Sequence, residues 1–145
     1  MSQPVTVRLS EPYWEELRQI ARREQRSISE IGARFILEGL RQARFPYLEF
    51  RSFNGERHAC VKGGPQVWQV IMVAKDYAID ADATAEHLDL KPELVKFCIS
   101  YYSAFPDEID RALDENNVGY ERLREMLPGI QLVGSPQVRP TKAAN

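Results

Sequence analysis

The stretch Val5-Thr6-Val7-Arg8-Leu9 alternates apolar and polar side chains without a break. Val5, Val7 and Leu9 fall on one face and Thr6 and Arg8 on the other, the pattern of a half-buried strand. No further strand-like stretch follows until Tyr47. A lone strand leaves amide and carbonyl groups unpaired on both edges, so a sheet needs a partner from elsewhere. A second copy of the chain meets that need. Two copies of residues 4–10 laid antiparallel about a twofold axis make a two-stranded ribbon, an isologous contact. Val5, Val7 and Leu9 then cover a shared core, and Thr6 and Arg8 point away from it.

Two amphipathic helices follow. Ser10 stands where a cap is needed and Pro12 in the first turn, where a missing amide hydrogen costs little. Trp14, Leu17, Ile20 and Ala21 then form one stripe, with glutamates early and arginines late as the helix dipole favours. The pattern predicts a helix from about Glu11 to Glu24. Ser27 and Glu30 make an S-x-x-E capping box that starts a second helix. Ile28, Ile31, Gly32, Phe35, Ile36, Gly39 and Leu40 line one side of it. Glycines on that stripe suggest two helix backbones coming close. One strand and two helices cannot bury this much apolar surface alone. The unit reads as half of something.

Charge is divided unevenly. Residues 1–45 hold eight arginines, no lysine and six glutamates, a net of +2, so the remainder sums to −4 in a chain of net charge −2. A small basic segment on a larger acidic one permits a local contact with an anionic partner, not general coating of nucleic acid. No apolar run reaches the length of a membrane span and no leader is evident at the N-terminus, so a cytoplasmic location is expected. Cys60 and Cys98 lie far apart without a CxxC pair. In a reducing compartment they are expected to be buried free thiols.

Pro46 marks a boundary near residue 45. Tyr47–Phe53 and Glu56–Val61 read as a hairpin around Asn54-Gly55. Val67–Tyr77 is apolar enough for a central helix. Asp82 is expected to cap a short helix with Ala85 and Leu88 inward. A longer helix from Pro92 is expected to bury Leu94, Val95, Cys98, Ile99 and Tyr102. Pro106 opens another with Ile109 and Leu113 inward, and "YERLREML" extends it. Beyond Pro128 the prolines and glycines predict a loose tail. His58, Cys60, His87 and Cys98 follow no zinc-finger spacing, and Asp107, Glu108 and Asp110 read as dipole-stabilising charges in a first helical turn. No nucleophile–base pair and no phosphate loop is legible. Neither catalysis, nor a metal, nor a cofactor is expected.

The alternating strand ending in Ser10-Glu11-Pro12, the first helix with Leu17 and Ala21 inward, and the "RSISEI" start of the second resemble the ribbon-helix-helix family of bacterial DNA-binding proteins, which includes the Arc, MetJ and CopG repressors. The resemblance covers residues 4–43. It implies an intertwined dimer whose ribbon enters the major groove, with Thr6 and Arg8 reading base edges. Arginine donates bidentately to guanine, and threonine offers a hydroxyl and a methyl. Amides at the start of the second helix, around Ser27, Ile28 and Ser29, are then expected to hold a phosphate beside Arg26. Pro4 stands where a polar or basic residue is common in that family.

Residues 57–110, through "VWQVI", "LKPELV" and "YYSAFPDEID", are similar to a small helical family that occurs as VapB-type antitoxins beside PIN-like nuclease toxins. The usual Gly-Thr-Arg type turn is replaced here by Gly63-Gly64-Pro65. Helices 82–88 and 92–104 look like a helix-turn-helix, but Glu93, Lys96 and Ser100 make a nearly neutral face that favours a structural or assembly role over DNA reading. Antitoxins of this kind neutralise the toxin with a C-terminal segment. Carried over, Leu123, Met126, Leu127, Ile130, Leu132 and Val133 are anchors, and Arg124 and Arg139 are candidates to enter an acidic metal pocket.

The expected fold is mostly α: an N-terminal ribbon-helix-helix (1–45), a hairpin with a trihelical, helix-turn-helix-like domain (46–117), and a helix extension with a flexible tail (118–145). The implied partners are operator DNA, a PIN-like toxin from an adjacent gene, and a second copy through the ribbon, with room for a higher oligomer. The rivals are a ribbon-helix-helix regulator without a toxin and a protein–protein adaptor.

Overall fold

A computed structural model describes residues 2–126. Among these the chain is mostly helical, with six helices and one two-stranded antiparallel hairpin, and it divides after Arg44 into two compact units.

The first unit holds α1 (Glu11–Glu24) and α2 (Ile28–Arg44). Ser10 is the N-cap of α1 in an extended conformation, and its carbonyl accepts from Tyr13 and Trp14. Its hydroxyl makes no capping bond, so the start is fixed by the Pro12 turn and by acidic Glu11. Gln25 ends the helix in the left-handed region at φ 55°, closing back on Ala21 and Arg22. Across the α1–α2 corner, Arg34 donates to both carboxylate oxygens of Glu24 at 2.7 and 3.1 Å. That bond to Glu24 holds the guanidinium above its ordinary value. Only Ala21, Ile31 and Glu38 are buried in this unit. Residues 2–10 form no strand, and no strand among the described residues pairs with them.

The second unit carries its own core. β1 (Leu48–Phe53) and β2 (Glu56–Val61) pair in register from Leu48 with Val61 to Phe53 with Glu56. Asn54 and Gly55 turn between them at φ 52° and 81°, the two positive values a tight hairpin of this hand requires. Helix α3 (Val67–Asp76) is central: Val67, Val70, Ile71 and Ala74 are wholly buried. Gln69 accepts from the Gln66 amide at 3.0 Å to fix its start. Around it pack α4 (Ala81–Leu88), α5 (Pro92–Ala104) and the first half of α6 (Pro106–Met126). Among the described residues four helices make up this unit; the central helix expected over Val67–Tyr77 is α3, and only the description of the domain as trihelical counts one helix too few.

Two local expectations are corrected. Asp80, not Asp82, caps α4: its carboxylate accepts from the Ala83 amide at 2.8 Å, while Asp82 lies within the first turn. Asp80→Ala is expected to cost ~1 kcal/mol and Asp82→Ala clearly less, read from urea midpoints of the two variants. In α5 the fully buried face is Val95, Phe97, Cys98 and Tyr101, and Leu94, Ile99 and Tyr102 are only half-buried. The reason is the segment before β1. Phe45, expected at a domain boundary, and Tyr47, expected to open the hairpin, place their rings on Phe97 at 6.0 and 6.1 Å, and Phe45 also meets Tyr101 at 5.4 Å. These contacts draw Phe97 and Tyr101 inward.

Polar ties close the helical core. Tyr101 donates to Glu108 at 2.7 Å and Tyr102 to Asp110 at 2.6 Å, joining α5 to α6. Lys75 reaches the same Asp110 at 3.6 Å. Cys60 and Cys98 are buried and unlinked. Burial pushes the Cys98 thiol up to about 12 and raises Cys60 as well, so neither supplies a thiolate near neutral pH.

Candidate nucleic-acid interface

The N-terminal unit leaves an apolar groove open to solvent, about 710 Å³ in volume, between residues 3–9 and the stripes of α1 and α2. Gln3, Val5, Val7 and Leu9 line it, together with Trp14, Leu17, Ile20, Gly32, Phe35, Ile36 and Leu40. Thr6 and Arg8 are exposed and do not line it. The strand's alternation is therefore expressed as two faces although no strand is paired. Val5 is 73% exposed, Val7 56%, Phe35 44% and Leu40 68%. Exposed apolar surfaces of this kind are commonly interaction sites in folded proteins. A methyl group added at Gly39 would meet nothing within 4 Å, and one added at Gly32 only the Leu17 side chain at 3.9 Å. The close helix approach suggested by that stripe is therefore not made within one chain.

The start of α2 bears out the capping box. The Glu30 amide donates to the Ser27 hydroxyl at 3.0 Å, and the Glu30 carboxylate accepts from the Ser27 amide at 3.4 Å and hydroxyl at 3.1 Å. Arg26 reaches the same carboxylate at 3.4 Å. These bonds, the Ser27 amide first, hold the Glu30 carboxyl below its ordinary value. The stabilisation it gives is thus present above the ordinary carboxylate value and lost as pH falls through the lowered folded value. The first intrahelical bond runs from the Ile31 amide to the Ser27 carbonyl. The Ile28 and Ser29 amides precede it and so lie before the intrahelical ladder, where a helix end can receive an anion; both residues also line the apolar groove. The Ile28 side chain is 37% exposed.

Glu30 already occupies this helix terminus, so its carboxylate would compete with any anion brought there. Glu30→Gln keeps an oxygen acceptor for Ser27 and removes the charge. On the expectation that this helix end holds a DNA phosphate, the variant should tighten DNA binding ~2–5-fold, with the gain shrinking as salt rises; titrations at two salt concentrations check this.

A second exposed surface lies at the end of α6. Leu123 is 43% and Met126 75% exposed, and the unforeseen Val118 is 47% exposed. Arg124 stacks over the Tyr120 ring at 5.9 Å. Leu127, Ile130, Leu132, Val133 and Arg139 lie outside the described residues. On α4 and α5 the outward side chains include Asp82, Glu86, Glu93, Lys96 and Ser100, an acidic-to-neutral set unsuited to a phosphate backbone.

Among the described residues no group of three or more His, Cys, Asp or Glu side chains is placed to hold a metal ion, and no helix is long and apolar enough to cross a membrane. No family model, no curated protein and no solved structure matches the chain.

Proposed function

We propose that the chain is a dimeric, cytoplasmic, DNA-binding antitoxin of a type II toxin–antitoxin pair. It represses its own operon through an intermolecular ribbon-helix-helix and neutralises a PIN-like ribonuclease by direct binding, with no catalytic step of its own. The observation that carries this reading is the division of residues 5–9. Val5, Val7 and Leu9 border an unfilled apolar groove while Thr6 and Arg8 stand outside it. A second copy of the same segment fills the groove and supplies the missing strand. Thr6 and Arg8 from both copies then stand together on one polar face, sized for a major groove. The Ile28 and Ser29 amides and Arg26 supply phosphate contacts on either side.

The toxin contact is supported by the end of α6. Leu123 and Met126 are both exposed, whereas Ile109 and Leu113 earlier in the same helix pack in the core. Two exposed apolar side chains three residues apart on a charged helical end suit a groove on a partner.

Arg8→Ala tests the DNA reading. A salt-sensitive gel shift on the DNA upstream of the chain's own reading frame is expected to weaken by 1–3 kcal/mol per lost arginine–base contact, about 5- to 150-fold, while the dimer mass stays unchanged. An unchanged shift removes Arg8 from the interface. A dimer that shifts no DNA at any salt favours the adaptor reading. Co-expression with the product of the adjacent reading frame tests the toxin: relief of its toxicity, reduced by Leu123→Asp, is the expected result.

A further inference from the structure

We draw no further inference here: the strongest candidate, the exposed acidic side chains Asp82 and Glu86 of α4, Asp89 at its C-cap and Glu93 of α5, is a set of carboxylates with no second observation among the described residues that points to a ligand.

Discussion

Val7→Asp is expected to leave the chain monomeric and unable to shift DNA at concentrations where the parent does. Val7 is the middle residue of the alternation, lines the groove and is 56% exposed in the single chain. An aspartate there costs the monomer little, because water still reaches the site. In a twofold ribbon it enters an apolar interface twice, and an uncompensated buried charge costs roughly 3–5 kcal/mol. The dimer constant should therefore weaken by more than about 10³-fold. Light scattering after gel filtration reads the mass directly: twice the 16.7 kDa chain for the parent and once for the variant. Thr6→Asp separates the two faces. It lies outside the groove, so it should keep the dimer and lose DNA through repulsion from phosphate.

The largest stability effect is expected at Tyr101 in the second unit. Its side chain is wholly buried among the rings of Phe45, Phe97 and Phe105, and its hydroxyl donates to Glu108. Tyr101→Ala removes the ring and opens a cavity, a change that costs ~3–5 kcal/mol in aromatic cores. A domain of this size is stable by roughly 5–15 kcal/mol, so the variant stands close to unfolding at moderate urea. Tyr101→Phe keeps the ring and loses the hydroxyl bond, for about 1 kcal/mol. The ratio of the two separates packing from hydrogen bonding. Dimer mass should be unaffected by Tyr101→Phe, since residues 3–40 alone form the groove.

Local chemistry made much of this fold legible. The bounds of α1 follow from Pro12 and the Leu17–Ala21 stripe, and the start of α2 from the Ser27–Glu30 box. The hairpin follows from Asn54-Gly55. Each is a signal between residues a few positions apart. What sequence did not show depends on distant partners. Phe97 and Tyr101 are buried because Phe45 and Tyr47, far earlier in the chain, pack on them; α5 is apolar on so many sides that its period names no single inward face. The choice between Asp80 and Asp82 turns on one backbone geometry, an extended Asp80 at ψ 117°, which composition does not encode. At the candidate interface, the two faces of residues 5–9 were legible from alternation. The pairing of Glu30 with Arg26 at the start of α2 was only half legible: the box was visible, its electrostatic consequence was not.

The dimeric ribbon requires residues 5–9 to acquire a strand partner from a second copy. Amide hydrogen exchange of Val5–Leu9, followed across a dilution series of the intact chain, tests this most directly. Ribbon bonding predicts alternate amides that are protected at high concentration and lose protection together as the dimer dissociates, in step with the measured mass. Amides that exchange freely at every concentration, in a chain whose mass is already that of a dimer, would contradict it.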